Sequence, residues 1–231
     1  MSIGNSTSHI VGFLINVLLA RLMAPRDFGS VAIISSFVAI LQILGEMGIT
    51  VAVIQIEKVD EKVKHTAFWL SFVFSLAVAA TMFFLSPYMS AYFKNEELAA
   101  LFKIVAISYF FRGIYSFFNC LLLRDMKYNI IVGITIISML LNGVISVVFA
   151  MQGLGAYSIV NGQLAASLIS VILGFYFTRF RIKLLWSFLT AKTILSYGVV
   201  VAFNRLIANL AGKIDAIIIG RAIGVGELGQ Y

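Results

Sequence analysis

The sequence is poor in charge, proline and cysteine, and each shortage excludes a class of protein. Charged residues make up only 12% of the 231 residues, while hydrophobic residues make up 61%. An ordinary soluble domain has about 25% charged residues, so a soluble fold could not cover this much apolar surface. Two prolines and the lack of low-complexity tracts argue against long disordered linkers. The single cysteine, Cys120, cannot form an internal disulfide. The sequence therefore predicts an integral membrane protein.

The excess of positive charge does not indicate nucleic-acid binding. The chain has 17 Lys and Arg residues against 10 Asp and Glu residues. The basic residues sit singly or in small groups between apolar runs, as they do in the loops of a polytopic membrane protein. The sequence contains no glycine-rich phosphate loop, catalytic triad or metal-ligand spacing. We therefore expect no catalytic residues, no metal and no cofactor.

Apolar runs long enough for helices that cross a bilayer, about 20 residues each, recur along the whole chain. The first ends near residue 22, and the others cover residues 28–56, 65–92, 98–123, 128–151, 154–178 and 196–222. They are too long, and alternate too little, for the strands of a membrane barrel. We predict an all-α polytopic membrane protein with three parts: a six-helix N-terminal lobe (residues 1–178), a cytoplasmic interfacial linker (179–195) and the start of a second, repeated lobe (196–231).

The distribution of basic residues among the short loops predicts the orientation, because cytoplasmic loops are enriched in Lys and Arg. With the N-terminus in the cytoplasm, most of the loop cations lie inside. The inside set is Lys58, Lys62, Lys64, Arg124, Lys127, Arg179, Arg181, Lys183 and Lys192, and the outside set is Arg21, Arg26 and Lys94. We therefore predict a cytoplasmic N-terminus.

Residues 179–192 mix basic side chains with large apolar ones. This pattern is typical of a helix lying in the membrane interface. The alternative is a basic loop anchored at the interface by Trp186.

Two segments separated by 200 positions resemble one another. When residues 18–29 are placed over residues 218–229, Arg21 meets Arg221 and Asp27 meets Glu227, and both segments end in glycine. The acidic positions fit a helix N-terminus, where a carboxylate faces the positive end of the helix dipole. Because transporters are often built from internal repeats, we interpret the chain as one lobe and the beginning of a second, and we expect it to be a fragment.

Polar side chains recur along one face of several apolar helices, which predicts a hydrated cavity with mostly positive charge. In residues 98–123, Ser108, Arg112, Tyr115 and Asn119 share a face. Charges inside a membrane are costly and normally face a cavity or a partner. A cationic cavity suits a phosphate-bearing substrate. The candidate substrate pathway consists of Arg112, Asn119, Arg205, Asn209, Lys213, Asn5, His9 and Asn16.

Structural roles remain open for the charged members of this set. Lys213 could pair with Asp215, and Arg112 could extend its guanidinium to the interface. Glu46, in LGEMG, and Asp215 are candidates for a coupling or gating role. Glu46 fits a helix-packing contact equally well.

Small residues at four-residue steps form a ridge on the predicted helix 154–178. They are Gly162, Ala166, Ser170 and Gly174. Such a ridge allows two helices to approach closely in lipid, and we interpret it as a packing surface.

Several blocks of sequence together resemble a known family. LLARLMAPRDFGSVA and LGEMGITVAVIQ are followed by HTAFWLSFVFS, LLLRDMKY, MQGLGAYSIVNGQL and DAIIIGRAIGVGELGQY. In this order they resemble the polysaccharide-transport (Wzx-type) flippases of the multidrug/oligosaccharidyl-lipid/polysaccharide exporter superfamily. The resemblance extends over essentially the whole chain, although the chain is shorter than the family pattern.

The resemblance implies two six-helix lobes that rock in an alternating-access motion. The implied cargo is an undecaprenyl-diphosphate-linked oligosaccharide, moved across the bacterial cytoplasmic membrane for O-antigen, exopolysaccharide or capsule assembly. The implied partners are this lipid-linked oligosaccharide, membrane lipids, and polysaccharide polymerase and chain-length proteins. Family members line their cavity with basic residues, and Arg112, Arg205 and Lys213 occupy suitable places for that.

Two other functions remain open. A cation-coupled multidrug antiporter of the same superfamily would need intramembrane carboxylates, and the predicted lobe offers only Glu46 well inside a helix. A non-transporting subunit of a polysaccharide assembly machine would usually display a large extracytoplasmic loop, which these short connections do not provide.

Overall fold

The computed structural model describes residues 12, 15, 17–46, 49–56 and 59–211, and this part of the chain is helical and contains no strand. A helical stretch at residues 17–22 precedes seven further helices. They are α1 (Pro25–Glu46), α2 (Ile49–Gln55), α3 (Glu61–Phe93), α4 (Glu97–Arg124), α5 (Tyr128–Met151), α6 (Ala156–Thr178) and α7 (Phe188–Ala211). Four of the helices, α3 to α6, are long and apolar enough to cross a membrane. The chain is an all-α, multi-pass membrane protein, as the sequence predicts.

The helix bounds follow the apolar runs closely in the middle of the chain. The bounds of α5, Tyr128–Met151, coincide with the predicted run, and α4 and α6 differ from theirs by at most two residues. The helix α3 begins earlier than its apolar run because Asp60 caps it, with its Oδ1 accepting a hydrogen bond from the Val63 N–H at 2.8 Å. Transfer of apolar residues into lipid thus sets the helices, and capping residues adjust their ends.

The interfacial helix predicted for residues 179–192 is wrong over most of its length. Residues 180–187, called the strap below, have no regular secondary structure, and α7 begins only at Phe188. The chain leaves α6 sharply because Arg179 adopts a left-handed conformation with φ of 50°. The backbone of the strap then hydrogen-bonds to side chains of α3 rather than to itself, as described below. The division of the chain into two lobes stays a prediction.

The helix α4 lies at the centre of the described bundle and packs against α1, α2, α3, α5 and α6. Towards one end, Phe102 and Leu101 of α4 are buried with Ile33 of α1 and Met82 of α3. Towards the other end, Phe118 of α4 is buried in a second cluster with residues of α2, α3, α7 and the strap. This arrangement places the middle of α4 between two packed regions.

Pro87 lies inside α3 without ending it. Proline has no N–H to give to the carbonyl four residues earlier, which here belongs to Phe83. The Ser86 hydroxyl donates a hydrogen bond to that carbonyl at 2.7 Å. Since a free backbone carbonyl is costly in lipid, this bond helps α3 to continue past the proline.

Candidate functional site

A polar cleft lies between α4, α5 and α6, with a volume of about 260 Å³. Each helix contributes side chains at helical spacing, so three polar stripes face one space. The lining residues are Arg112 and Tyr115 of α4, Thr135, Ser138 and Asn142 of α5, and Gln163, Ala166, Ser167 and Ser170 of α6. We call this space the polar cleft.

The serine and threonine hydroxyls of the polar cleft donate their hydrogen bonds within the protein. Thr135 donates to the Ile131 carbonyl at 2.9 Å, and Ser167 donates to the Leu164 carbonyl at 2.8 Å. Such bonds to the preceding turn allow hydroxyl groups to reside in an apolar environment. The remaining donors that could serve a ligand are the guanidinium of Arg112, the hydroxyl of Tyr115 and the amides of Asn142 and Gln163.

A second space, of about 170 Å³, lies between α1, α4 and α6. Six of its nine lining residues have apolar side chains, and we call it the apolar cleft. It is lined by Val31, Ile34, Ser35, Val38 and Ala39 of α1, Val105 and Arg112 of α4, and Val160 and Gln163 of α6. Arg112 and Gln163 line both clefts and therefore stand at the boundary between them.

Arg112 is the only charged residue that lines either cleft in the described part of the chain. Its side chain is exposed, and none of the salt bridges between described residues includes it. It lies far from both ends of α4, which runs from Glu97 to Arg124. An arginine in this position provides a permanent positive charge, delocalised over a planar group with a rigid set of N–H donors.

Comparison with known proteins identifies the family. The family described as polysaccharide biosynthesis protein matches residues 18–231. This chain belongs to that family. The lipopolysaccharide biosynthesis protein WzxC of Escherichia coli (strain K12) is 24% identical over 223 residues, covering 96% of this chain and 45% of the relative. No solved structure matches the chain.

Two further relatives of this family member have informative names. The teichuronic acid biosynthesis protein TuaB of Bacillus subtilis (strain 168) is 28% identical over 82% of this chain and 40% of its own length. The succinoglycan biosynthesis transport protein ExoT of Rhizobium meliloti (strain 1021) is 26% identical over 93% of this chain and 43% of its own length. The chain thus spans less than half the length of these relatives.

Of the residues predicted for the substrate pathway, the structure places two side chains. Arg112 lines both clefts. Asn119 lies further along α4 and lines neither; its Oδ1 is buried and has no hydrogen-bond partner among the described residues. The helix positions of Arg205 and Asn209, in α7, and of Glu46, at the end of α1, are described, but their side chains lie outside the description.

The other predicted residues lie outside the described residues altogether. They are Asn5, His9, Asn16, Lys213 and Asp215. The second copy of the repeat, residues 218–229, lies there as well. In the first copy, Asp27 stands in the first turn of α1, as predicted, and its Oδ2 accepts a hydrogen bond from the Ala24 N–H at 3.1 Å.

The contributions of α5 and α6 to the polar cleft are not predicted from the sequence. The one available signal is the spacing of Thr135, Ser138 and Asn142, at three and four residues along an otherwise apolar run. The ridge on α6 does pack helices together as predicted: a Cβ at Gly162 would meet Ser146 and Asn142 of α5. The same ridge also contributes Ala166 and Ser170 to the cleft.

Proposed function

We propose that this chain is part of a transporter that moves a lipid-linked, phosphate-bearing oligosaccharide across the membrane for polysaccharide export. The observation that carries the proposal is the position of Arg112 at the boundary between a polar and an apolar cleft. A lipid-linked oligosaccharide has the same three parts: polar sugars, an anionic phosphate link and an apolar chain. The names of the relatives, which concern biosynthesis or transport of bacterial surface polysaccharides, support the same substrate class.

In this proposal Arg112 binds the phosphate oxygens through its paired N–H groups, a geometry that arginine provides and lysine does not. Asn142 and Gln163 hydrogen-bond to the first sugar in the polar cleft. The apolar cleft receives the start of the lipid chain, which otherwise remains in the bilayer. No bond is made or broken, so the protein acts as a transporter and not as an enzyme.

The finer parts of the mechanism belong to the proposal as well. The lipid carrier is undecaprenyl diphosphate, and the cargo crosses from the cytoplasmic to the outer leaflet by alternating access. On the basis of their helical spacing in the sequence, a second group of polar residues, Arg205 and Lys213 with Asn209, is proposed to face the same pathway. Glu46 and Asp215 are proposed to contribute to coupling or gating. Polysaccharide polymerase and chain-length proteins would act on the exported product.

A cation-coupled drug antiporter fits the clefts less well. Such a protein would bind its cationic cargo through carboxylates, and none lines either cleft in the described part of the chain. The one charge in this space is that of Arg112, which would repel a cation. The proposal therefore keeps an anionic cargo.

To test the proposal, Arg112 is replaced in the native protein, in the cell that normally produces it, and the amount of surface polysaccharide is measured. We expect Arg112→Ala to reduce export at least tenfold and Arg112→Lys to restore only part of it, because lysine provides charge without the paired geometry. Lys103→Ala is the matched control, since Lys103 is another cation of α4 that lines neither cleft and lies 5.5 Å from the ring of Phe83. Normal export in Arg112→Ala at normal membrane abundance would contradict the proposal.

We propose in addition that the N-terminus lies in the cytoplasm of the cell and that the membrane is the cytoplasmic one. Lys62 and Lys94 are exposed and lie at opposite ends of α3. A membrane-impermeant thiol reagent added from the extracytoplasmic side should label Lys94→Cys and not Lys62→Cys. Labelling of Lys62→Cys and not of Lys94→Cys would show that the orientation is opposite to the one proposed.

A further inference from the structure

A third cavity, of about 270 Å³, lies at the end of the bundle where α3 begins and where α4 and α6 end. The strap forms one of its walls. Four basic residues line it: Lys64 of α3, Arg179 at the end of α6, and Arg181 and Lys183 of the strap. Two carboxylates, those of Glu61 and Asp125, line it as well. The lining charge of this basic cavity is therefore positive.

Neighbouring lysines already neutralise both carboxylates. Lys64 Nζ lies 3.0 Å from a carboxylate oxygen of Glu61, and Lys127 Nζ lies 2.8 Å from one of Asp125. No carboxylate of the described residues forms a salt bridge with Arg179 or Arg181. Both arginines are exposed, so an external anion can reach them.

The strap is fixed in place by contacts that involve its backbone. The Trp69 indole N–H donates to the Lys183 carbonyl at 3.2 Å, and the Lys183 N–H donates to His65 Nδ1 at 3.4 Å. The Ser187 N–H donates to Thr66 Oγ1 at 3.2 Å. These bonds use only the backbone of Lys183, so the strap holds its cations at the cavity wall.

Charged and apolar residues alternate along the strap. Arg181 and Lys183 line the cavity, whereas Ile182 between them and Leu184 after them do not line it and are 52% and 86% exposed. Phe188 and Leu189, at the start of α7, are 82% and 79% exposed. In a membrane protein, exposed apolar residues beside a basic cavity are typical of a segment that lies against the lipid surface.

We propose that the basic cavity binds the phosphate of an anionic membrane phospholipid, with the apolar residues of the strap inserted beside its acyl chains. A free phosphate ion would use the same cations but would gain nothing from the exposed apolar side chains. Basic cavities between membrane helices are suited to anionic lipid headgroups. The site is separate from the two clefts, because the cavities share no lining residue. The proposal therefore does not depend on the transported substrate.

The two tryptophans of the chain provide the measurement, because both lie at the strap. Trp186 belongs to it, and Trp69 donates a hydrogen bond to it. The full chain is reconstituted in phosphatidylcholine vesicles, and its tryptophan fluorescence is titrated with phosphatidylglycerol that carries brominated acyl chains. Bromine quenches a tryptophan that it contacts, so the titration reports how strongly the lipid occupies the strap. Brominated phosphatidylcholine is the reference lipid, because its headgroup has no net charge.

We expect phosphatidylglycerol to be preferred by roughly 25-fold, about fivefold for each of the two strap cations, Arg181 and Lys183, that line the cavity. The Arg181→Gln/Lys183→Gln variant should lose this preference. The control variant Lys62→Gln/Lys192→Gln removes the same charge from exposed residues outside the cavity and should keep it. Inorganic phosphate at 10 mM and constant ionic strength should not displace the lipid.

Three results would overturn the proposal. If the two brominated lipids quenched the unaltered chain equally, the cavity would not recognise an anionic headgroup. This result would not depend on any variant. An equal loss in both double variants would indicate diffuse surface charge in place of a site. Displacement by inorganic phosphate would assign the cavity to a free anion.

Discussion

The hydroxyl oxygens of Ser138 on α5 and Ser170 on α6 lie 2.7 Å apart on the wall of the polar cleft. The Ser170 hydroxyl also lies 2.7 Å from the Ala166 carbonyl of its own helix. Since a hydroxyl has one proton and two acceptor positions, Ser170 donates to Ala166, and Ser138 donates to Ser170. This bond joins the two helices that contribute most of the polar residues to the cleft.

Removing either hydroxyl should weaken the contact between α5 and α6. A double-mutant cycle with Ser138→Ala and Ser170→Ala should give a coupling of about 0.6 kcal/mol, the average for polar pairs between membrane helices. The measurement is the free energy of unfolding in mixed micelles. Ser167→Ala is the control, because its hydroxyl donates to Leu164 of its own helix. Ser167→Ala should therefore combine additively with Ser138→Ala. If the coupling between Ser138 and Ser167 were as large as that between Ser138 and Ser170, the Ser138–Ser170 hydrogen bond would have no specific role in joining the helices.

Gly162 allows α6 to pack closely against α5. A Cβ at this position would meet Ser146 Oγ and Asn142 Oδ1, and the Asn142 carbonyl oxygen at 2.7 Å. Because the backbone there cannot yield easily, Gly162→Ala should lower the free energy of unfolding by about 1–3 kcal/mol. The variant should also alter the cleft, which Asn142 lines.

Gly133 of α5 provides the matched control for this prediction. A Cβ at Gly133 has nothing within 4 Å, so Gly133→Ala should be neutral or stabilise the helix by up to about 1 kcal/mol. Unfolding of both variants in the same micelles tests the pair. A tolerated Gly162→Ala would show that the helices separate without cost.

Phe180 anchors the strap to the bundle. Its ring centroid lies 4.9 Å from that of His65, 5.1 Å from Phe117 and 5.5 Å from Phe68. Phe180→Ala should reduce the free energy of unfolding by about 3 kcal/mol or more, since a large buried ring is lost. It should also shift the fluorescence of Trp69, which is bonded to the strap.

Phe188 is the control for the anchor, because it is 82% exposed and lies outside that cluster. Phe188→Ala should change the free energy of unfolding by less than about 0.5 kcal/mol. Comparable losses in the two variants would mean that Phe180 stabilises the chain only through its general hydrophobicity.

The middle helices could be predicted from the sequence because their signal is thermodynamic. An apolar run such as residues 128–151 can only satisfy its backbone in lipid as a helix. The strap could not be predicted in this way. Its basic and apolar residues fit an interfacial helix equally well, and the outcome depends on long-range partners such as Trp69 and His65.

The polar cleft illustrates the same limit. Arg112 stands out in the sequence because a charge in an apolar run is costly. Ser138 and Gln163 do not stand out, because such residues occur in membrane helices without any cleft nearby. Arg124 appears in the sequence only as a loop cation, yet its guanidinium donates to the carbonyls of Val53 and Ile56 at 2.9 and 2.7 Å and fixes the end of α2. Helix packing, which the sequence pattern does not specify, decides these roles.

The polar cleft should contain water and should attract anions. Gln163 is exposed in the cleft beside Arg112, whereas Val144 is 61% exposed on α5 and lines neither cleft. Gln163→Cys should therefore react with small charged methanethiosulfonate reagents, and Val144→Cys should not, if lipid covers it. The unaltered chain is the blank, because its one cysteine, Cys120, is only 2% exposed.

Reagents of opposite charge distinguish a cleft that only contains water from one that also has a positive potential. At Gln163→Cys, with each rate taken relative to that for a free thiol in solution, the anionic sulfonatoethyl reagent should react on the order of ten times faster than the cationic trimethylammonium one, because a unit charge nearby changes the local concentration of ions. Arg112→Ala should abolish this preference while the cysteine stays reactive. A preference that survives the loss of Arg112 would place the source of the positive potential elsewhere, and a cysteine that reacts with neither reagent would show that the cleft is dry.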